Sequence, residues 1–418
     1  MAMRNRILHV LSQRPGRTGS GVTLDAVVEQ AGRAGWDQAA VFGIPAGESP
    51  PLVGNLDPTA LFPVRFRGAR PGGPPGDLDF PVPGMSDVMP YPSSVWSGLT
   101  AGQLDDYRRV WTAHLQDAID RFRPHLIHTN HLWLVSALVR RAAPDLPVVA
   151  TCHATGLRQR ELCPHLAEEV AHGCRRIDRF CVLRDDHRWQ LARTLAVGPD
   201  RITVTGAGYR DDLFHPGRTP ADPDQVLYVG KFSAAKGLPW LLDAVEALAP
   251  ARPRLRLHVA GGGAGPEAEA LRRRMASLDP LVVMHGQLGQ PDLADLMRRC
   301  GVCALPSFFE GVPLVLVEAA ACGCRLLATA LPGVLEQLAP CLGKRIHLVD
   351  LPRLIAVDEP DPAGLPGFTR DLERTLDEAL NAAGGGSCDP PPDLSGFTWS
   401  AVFRRVERVW KDLLGTGA

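Results

Sequence analysis

Short apolar, β-branched runs alternate along the chain with turns rich in Gly, Ser and His and with segments of helical periodicity. This alternation is typical of parallel strands joined by crossover helices. In the first half, the runs predict strands at residues 6–11, 39–43, 125–130, 147–153 and 179–183. In the second half, they predict strands at residues 225–230, 256–263, 281–286, 302–307 and 325–330. The pattern therefore predicts an α/β protein built from two doubly wound parallel sheets.

A turn-rich break at residues 215–224 (HPGRTPADPD) separates the two series of strands. We predict a Rossmann-like domain over residues 1–215 and a second Rossmann-like domain over residues 216–394. Residues 395–418 have the apolar spacing of an amphipathic helix, which we expect to cross back to the first domain. Two such domains facing each other would place a ligand cleft at the carboxyl ends of both sheets.

Composition narrows the class of protein. The 418 residues are 45% hydrophobic and 22% charged, which allows two domains with cores of their own. A net charge of −1 weakens the case for a nucleic-acid partner. The sequence has neither a membrane-spanning window nor the apolar stretch of a signal peptide, so we expect a cytoplasmic protein without stable membrane insertion. The ten cysteines should be reduced and mostly buried, and the Pro/Gly-rich residues 70–94 should form a long surface loop.

Residues 307–333 (SFFEGVPLVLVEAAACGCRLLATALPG) carry two carboxylates, Glu310 and Glu318, in an apolar run. An ionised carboxylate is costly to bury unless it has a partner. The run predicts a turn after a strand and then a helix that begins at Pro313, where the missing N–H costs nothing. Unpaired backbone N–H groups at the start of such a helix bind polar or anionic ligand groups. The N–H groups expected to do so belong to Gly311, Val312 and Leu314.

The Glu-x7-Glu spacing of EGVPLVLVE resembles that of retaining GT-B glycosyltransferases, and its flanking LPS and EAAACG resemble glycosyltransferase family 4. The segments HTNHLW, VVATCHATGL, YRDDLFHP, YVGKFSAAKG and HVAGGGAGPE are similar to further motifs of that family, over nearly the whole chain. The resemblance implies the GT-B fold, in which two Rossmann-like domains face each other across a cleft. It implies that residues 1–215 bind the acceptor and that residues 216–394 bind a nucleotide-sugar donor.

The resemblance also implies a reaction. A hexosyl group would pass with retention, and without a metal, from a nucleotide diphosphate sugar to an unidentified small cytosolic acceptor. UDP-GlcNAc or UDP-Glc is favoured as the donor, and GDP-Man is allowed. The leaving diphosphate gains negative charge, which fixed cations and amides must neutralise. Lys231 and Lys236 follow a predicted strand and can supply two ammonium groups, although both could be solvated loop residues.

The remaining donor-site assignments also follow the resemblance. Glu318 would accept hydrogen bonds from the ribose hydroxyls, unless it is an ordinary carboxylate on a helix surface. The transferred sugar would be contacted by Glu310, Gly311 and Val312. The diphosphate would be contacted by Val312, Pro313 and Leu314. The nucleobase would lie against Gly286, Gln287 and Leu288.

Candidates in the first domain have plainer alternatives. Gly19 and Gly21 would let the backbone approach a phosphate or the acceptor closely, or they form a structural turn. The resemblance assigns His153 to the catalytic site as a contact of the donor sugar near its sixth position, although a lone histidine in a turn is usually structural. Other residues could contact the acceptor or could be ordinary packing and surface residues, since an Arg can bind an anionic group but is equally common at a surface. These acceptor candidates are Tyr91, His131, Arg158 and Arg160.

Metal and dinucleotide chemistry find little support in the sequence. Two D-x-D motifs, at residues 77–79 and 222–224, lie in Pro/Gly-rich segments without a preceding apolar strand, so no metal is expected. GGGAG at residues 261–265 is followed by Pro266 where a dinucleotide fingerprint needs glycine. An NAD-dependent oxidoreductase is therefore a remote alternative. A closer one is a nucleotide-sugar-binding protein that acts as a hydrolase or an epimerase, or that catalyses no transfer.

Overall fold

The structure is a computed structural model that describes residues 5–16, 18–68, 74–85, 89, 91–153, 155–310, 313–356, 358–385 and 391–416. The chain divides into two compact units. One unit comprises Met1–Gly208 and Trp399–Ala418, and the other comprises Tyr209–Thr398. The turn-rich break in the sequence at residues 215–224 lies just after this division.

The first unit is built on a parallel sheet of seven strands in the order β3-β2-β1-β4-β5-β6-β7. The strands are β1 (Arg6–Leu11), β2 (Asp37–Pro45), β3 (Leu61–Phe66), β4 (Leu126–Asn130), β5 (Val148–Cys152), β6 (Arg179–Val182) and β7 (Ile202–Val204). Successive side chains of a strand point to opposite faces. Leu8 and Val10 accordingly belong to the apolar cluster on one face of this sheet, and Ile7 and Leu11 to clusters on the other.

Six α-helices alternate with these strands along the described part of the unit. They are α1 (Gly19–Arg33), α2 (Ala101–Phe122), α3 (Leu134–Ala142), α4 (Thr155–Leu162), α5 (Pro164–Cys174) and α6 (Asp185–Leu195). Thr18 caps α1, because its side chain accepts a hydrogen bond from the backbone N–H of Gly21. Thr100 and Gln103 form a reciprocal capping box at the start of α2. These caps fix the residues at which α1 and α2 begin.

The second unit contains a parallel sheet of six strands in the order β10-β9-β8-β11-β12-β13. The strands are β8 (Asp222–Lys231), β9 (Arg256–Gly262), β10 (Val282–Gly286), β11 (Cys300–Leu305), β12 (Arg325–Thr329) and β13 (Ile346–Val349). The helices are α7 (Leu238–Leu248), α8 (Pro266–Ser277), α9 (Gln290–Arg299), α10 (Leu314–Cys322), α11 (Ala339–Leu342) and α12 (Leu365–Gly384). The predicted fold class, two Rossmann-like parallel-sheet domains, is confirmed.

The last helix, α13 (Trp399–Leu414), packs against the sheet of the first unit. Its Trp410 is fully buried and lies edge-on to Trp36, with ring centroids 5.3 Å apart. The Trp410 indole N–H donates to Nδ1 of His128 on β4 at 3.1 Å. The Trp36 indole N–H donates to Glu407 at 3.0 Å. Apolar burial and two specific hydrogen bonds therefore hold this helix in place.

All ten predicted strands are present, nine of them with shifted ends, whereas β3, β7 and β13 were not predicted. Residues 222–224, predicted as part of a linker, begin strand β8. The described part of residues 70–94 contains no helix and no named strand, which agrees with the predicted loop.

The nine described cysteines are free, and eight of them are buried, as predicted. Cys388 lies outside the described residues. In the part of the chain that the structure describes, no helix is both long and apolar enough to cross a membrane.

Candidate active site

In the second unit, the predicted cation and the first predicted acid are directly paired. Lys236 Nζ lies 2.7 Å from Glu310 Oε1, and the Ser307 hydroxyl donates to the same oxygen at 2.8 Å. Lys236 Nζ also donates to the backbone carbonyl of Phe309 at 3.2 Å. The two charged side chains are 25% and 16% exposed, so the pair is partly shielded but reaches solvent. Glu310 therefore has a cation beside it at the edge of the unit.

Gly237 lets the two segments that carry this pair approach each other. Its φ of +70° lies in the left-handed region that favours glycine. A Cβ at this position would lie 2.0 Å from the carbonyl oxygen of Pro306. Immediately beyond, the Phe308 N–H donates to the carbonyl of Ala235 at 3.0 Å. The segment after β8 is thus fixed against the segment after β11, and this contact places Lys236 beside Glu310.

Lys231 is the last residue of β8, and its side chain is exposed. It forms no ion pair with any residue in the described ranges. The hydroxyl of buried Tyr228 donates to the Lys231 carbonyl at 2.6 Å, which anchors the backbone at this point. Burial and the nearby charge of Glu310 raise the pKa of Tyr228, so this phenol remains a neutral donor. Lys231 is therefore an available cation, whereas Lys236 is already paired.

Glu318, the second predicted acid, lies on α10 and is partly exposed. Burial raises the pKa of its carboxyl group to about 7. No cation or hydrogen-bond donor among the described residues pairs with it. The free-energy cost of burying an acid in this apolar run thus raises the pKa of Glu318, which has no partner among the described residues, whereas Lys236 offsets that cost at Glu310.

The residues around the start of α10 are partly described. The helix begins at Leu314, one residue later than predicted, and Pro313 precedes it. Gly311 and Val312 lie outside the described residues. At the other end, Gly323 has a φ of +102° and ends the helix, as expected for a glycine in the left-handed region.

The segment predicted to meet the nucleobase follows β10. Gly286 has a φ of +66°, and both Gly286 and Gln287 are exposed. Leu288 instead packs against the apolar core of the unit. Gln287 is therefore the more accessible side chain for a ligand, whereas Leu288 anchors the turn.

The first unit gathers polar side chains after β1, β4 and β5, at the edge where parallel strands present their carboxyl ends. Gln13 follows β1, Asn130 and His131 are at the end of β4, and His153 follows β5. The ring centroids of His131 and His153 are 4.9 Å apart. His153 Nε2 lies 3.0 Å from Asn130 Oδ1, and burial lowers the pKa of His153 to about 4.

His131 is buried and has its own partners within the protein. Nε2 lies 2.9 Å from Gln13 Oε1, and Nδ1 lies 3.1 Å from the Thr155 hydroxyl. Burial, together with His153, lowers the pKa of His131 well below its usual range. Both ring nitrogens are thus engaged within the protein, and the φ of +69° places His131 in a left-handed turn after β4.

Gly19 and Gly21 lie in the first turn of α1, not in a loop as predicted. A Cβ on Gly21 would lie 2.6 Å from the backbone nitrogen of Gly16, so this glycine permits close packing within the protein. Open space surrounds the corresponding position at Gly19, which leaves room for a ligand there. The helix starts early because Thr18 provides its cap.

The remaining acceptor candidates, Arg158, Arg160 and Tyr91, differ in solvent exposure and in hydrogen bonding. The Arg160 guanidinium donates to the carbonyl of Thr194 on α6 at 2.7 Å, which directs it toward a neighbouring helix. Arg158 is exposed. Tyr91 is buried, and burial raises its pKa to about 12. Its hydroxyl lies close to the backbone of Arg14, and Tyr91 stays a candidate for acceptor binding.

The D-x-D motif at residues 222–224 lies at the start of β8, and its acids are paired with arginines. Asp222 forms an ion pair with Arg254, and Asp224 forms one with Arg252. Asp77 accepts a hydrogen bond from the backbone N–H of Arg65 at 2.7 Å. Within the described ranges, no three His, Cys, Asp or Glu side chains are grouped to hold a metal ion.

Sequence reasoning missed four residues that shape these sites: Gln13, Asn130, Ser307 and Gly237. Each follows or ends a strand or a tight turn, which is the available signal in the sequence. Gly237 was quoted within a motif but was not given a role. The partners of the other three are distant in sequence or depend on turn geometry, so their roles appear only in the folded chain.

Comparisons with known proteins agree with the motifs. A family model described as "Glycosyltransferase Family 4" matches residues 88–213, and one described as "Glycosyl transferases group 1" matches residues 223–347. D-inositol 3-phosphate glycosyltransferase of Mycobacterium avium is 30% identical over 234 residues, which are 52% of this chain and 50% of that protein. The same-named protein of Mycobacterium tuberculosis strain F11 is 33% identical over 241 residues, 52% of this chain and 44% of that protein. The chain spans about half the length of the curated relatives it matches.

Solved structures share the fold. Sucrose-phosphate synthase from Thermosynechococcus elongatus matches with a TM-score of 0.62 and 20% identity, over 99% of this chain and 100% of that one. The pneumococcal O-GlcNAc transferase GtfA, in complex with UDP and GlcNAc, matches with a TM-score of 0.64 and 11% identity, over 98% and 99%. HepE of Anabaena, in complex with UDP and glucose, matches with a TM-score of 0.58 and 15% identity, over 98% and 100%.

The motifs, the two Rossmann-like units and the two family models agree. Residues 88–213 therefore match the family 4 model and residues 223–347 the group 1 model, and the two units have the fold of GT-B glycosyltransferases.

Proposed function

We propose that this protein is a retaining, metal-independent glycosyltransferase that moves a hexosyl group from a nucleotide diphosphate sugar to a small acceptor. The observation that carries the proposal is the cluster in the second unit. A Lys236–Glu310 pair is held by Ser307 at one edge, and Glu318 lies on the helix that follows. This combination of cations and acids suits a ligand with a diphosphate, a ribose and a sugar.

The chemistry begins at the bond between the anomeric carbon and the diphosphate. As that bond breaks, the sugar gains oxocarbenium character and the diphosphate gains negative charge. Lys231 is exposed and unpaired among the described residues, so it can approach the diphosphate directly. Lys236 can exchange part of its contact with Glu310 for the phosphate oxygens. Preorganised charge of this kind stabilises the transition state more than it stabilises the bound substrate.

Retention requires the acceptor to attack from the face that the diphosphate leaves. In our proposal the departing phosphate takes the acceptor's proton. Glu310 is already bonded to Lys236 and Ser307, so it is better suited to orient sugar hydroxyls than to act as a nucleophile. Gly311, Val312, Pro313 and Leu314 remain proposed contacts of the sugar and diphosphate.

Glu318 is proposed to bind the ribose. Its carboxyl group has a pKa near 7 in the ligand-free protein and lacks a partner in the described ranges. Two ribose hydroxyls would supply donors to the carboxylate and would favour its ionised form. Donor binding would therefore replace the hydrogen bonds that this carboxylate lost when the chain folded.

A UDP-sugar is the favoured donor, with glucose or GlcNAc as the sugar, while GDP-Man stays an alternative. HepE and GtfA, two proteins of like fold, have structures with UDP together with glucose or GlcNAc. The nucleobase is proposed to lie against Gly286 and Gln287. In the first unit, His153 is proposed to contact a sugar hydroxyl, while Gly19, Tyr91 and Arg158 remain candidates for acceptor binding.

A donor panel tests the proposal. UDP- and GDP-sugars would be incubated with and without small polyhydroxylated acceptors, with EDTA present, and release of UDP or GDP would be followed. Acceptor-dependent release is expected, and NMR of the product should show a retained anomeric configuration. Release that is independent of acceptor would indicate a hydrolase, and an inverted product would contradict retention. Thermal stabilisation by NAD but by neither UDP nor GDP would contradict the proposal as a whole.

A further inference from the structure

The side chain of Asn130 has a fixed orientation. Its Nδ2 donates to the carbonyl oxygen of Val10 on the neighbouring strand β1 at 3.4 Å. A backbone carbonyl can only accept a hydrogen bond, so the amide nitrogen must face Val10. Oδ1 must therefore face the other way, toward His153 Nε2 at 3.0 Å. The strand backbone thus decides which end of the amide the imidazole meets.

This orientation determines where His153 carries its proton. An amide oxygen accepts and cannot donate, so Nε2 must carry the hydrogen. Burial lowers the pKa of His153 to about 4, so the ring is neutral at pH 7 and has a single N–H. Nδ1 then presents a lone pair. The ring is partly exposed, and no group in the described ranges bonds to Nδ1.

The neighbouring titratable groups favour the same state. His131 lies with its ring centroid 4.9 Å from that of His153, and it donates from Nε2 to Gln13 Oε1. Its Nδ1 accepts from the hydroxyl of Thr155. His128 is also close enough to influence His153 electrostatically, and burial lowers its pKa well below the usual range. A positive charge on His153 would therefore be placed among buried rings.

We propose that Asn130 is a positioning residue that holds His153 with Nε2 protonated, so that Nδ1 accepts a hydrogen bond from a substrate hydroxyl and disfavours a carboxylate. The inference rests on the proposed function, in which His153 contacts the transferred sugar. A hydroxyl can donate to the Nδ1 lone pair, whereas an ionised carboxylate would set one lone pair against another. Because the proposed function places His153 near the sixth position of the donor sugar, the expected donors are hexoses with a free hydroxyl at that position rather than uronic acids.

The tautomer can be measured without any substrate. The full-length protein would be labelled with 15N-histidine, and the His153 resonances would be assigned by their loss in His153→Gln. At pH 7, one ring nitrogen should show a bonded proton and the other a lone pair, with the correlation pattern of Nε2–H. An imidazolium at pH 7, or a proton on Nδ1, would overturn the proposal. Because this experiment needs no activity, its result stands even if the proposed function fails.

Donor choice provides the second arm. Values of kcat/KM would be compared for UDP-glucose against UDP-glucuronic acid and for GDP-mannose against GDP-mannuronic acid. The wild type should prefer the hydroxyl-bearing sugar of an accepted pair at least about 100-fold, as expected when a site built for a hydrogen bond meets a group that cannot supply it. Equal use of both sugars would overturn the inferred specificity. If no donor is used at all, the proposed function fails, and the tautomer result alone decides the inference about Asn130.

Asn130→Asp separates positioning from structure. An aspartate accepts from Nε2–H just as the amide does, but its charge favours the imidazolium, whose Nδ1–H can donate to a carboxylate. The preference for the hydroxyl should fall at least about tenfold, and the pH at which His153 titrates should rise. Asn55→Asp, in an exposed loop of the same unit, is the matched control and should change neither. An unchanged preference in folded Asn130→Asp would contradict the proposal; if that variant does not fold, Asn130→Ser provides the comparison.

Discussion

Lys236 and Glu310 form an ion pair with an Nζ–Oε1 distance of 2.7 Å, although they lie 74 residues apart in sequence. The two residues come from different motifs, one after β8 and the other after β11. The pair links the cation proposed for the diphosphate to the acid proposed for the sugar. Their roles should therefore be distinguishable but coupled.

Replacement of Lys236 should weaken binding of the diphosphate. In Lys236→Met, we expect affinity for UDP or GDP to fall about tenfold or more, because a charge-assisted contact is lost, while affinity for the nucleoside should change little. Isothermal titration calorimetry would measure both. Lys344→Met, at an exposed position in the same unit, should leave both affinities unchanged. Equal losses for nucleoside and diphosphate would exclude a phosphate contact.

Replacement of Glu310 should affect turnover more than nucleotide binding. Glu310→Gln keeps the size of the side chain but removes the charge that orients Lys236 and the sugar. We expect kcat to fall about 100-fold with less than a threefold change in nucleotide affinity, within the range found for positioning groups. The double variant with Lys236→Met should lose less than the product of the single effects, because the residues are in contact. Additive effects would show that the pair is not a functional unit.

Gly237 should be intolerant of a side chain. Gly237→Ala combines a φ of +70° with a Cβ placed 2.0 Å from the Pro306 oxygen, so we expect a loss of about 3 kcal/mol or more in unfolding free energy. Gly323→Ala is the matched control, since its φ is +102° but open space surrounds the added Cβ. It should lose only about 1–2 kcal/mol. Urea denaturation would measure both, and similar losses would show that the contact with Pro306 relaxes easily.

The sequence was most informative where strands are buried on both faces. Such strands read as apolar runs, as β5, β11 and β12 do, and all three were predicted; β10 was also predicted, although it alternates buried with exposed residues. The missed strands lack this signal. β3 alternates buried with partly exposed residues and contains Pro63, as suits a strand at the sheet edge, and β7 has only three residues. Local patterns could not show that distant pairing stabilises these segments.

The individual residues of the candidate site could be predicted from the sequence, but the contacts between them could not. Glu310, Glu318, Lys231 and Lys236 stand in motifs that indicate their chemistry. The sequence could not show that Lys236 is paired and Lys231 exposed, because that difference depends on how two loops pack. Asn130 likewise reads as an ordinary polar residue after a strand until its bonds to Val10 and His153 are seen.

Glu318→Gln should stabilise the ligand-free protein while weakening donor binding. The folded protein holds the proton of Glu318 up to a pKa of about 7, against 4.5 for the unperturbed group, so the folded state binds more protons between these values. Stability from this group is present below about pH 4.5 and is lost as the pH rises toward and through 7. At pH 8 the ionised, partly buried carboxylate is therefore unfavourable, and the glutamine variant should be about 2 kcal/mol more stable.

The same Glu318→Gln variant should bind UDP or GDP about tenfold more weakly, because a neutral amide is a poorer acceptor for ribose hydroxyls. Thermal unfolding at pH 5 and pH 8 would test stability, and calorimetry would test binding. Glu269→Gln, exposed on α8, should alter neither. A variant that loses stability at pH 8 would show that the carboxylate has a favourable partner.

Mild acid should loosen the packing of α13. His9 is buried beside Trp410, with ring centroids 5.9 Å apart, and burial lowers its pKa to about 4 despite a hydrogen bond with Gln38. The unfolded chain binds a proton near pH 6.5, whereas the folded chain does not until about pH 4. Stability should therefore fall as the pH decreases from 6.5 to 4, by up to about 1.4 kcal/mol per pH unit for this residue. His9→Gln should reduce that slope in urea denaturation, whereas exposed His165→Gln should preserve it; an unchanged slope in His9→Gln would mean that other groups cause the acid sensitivity.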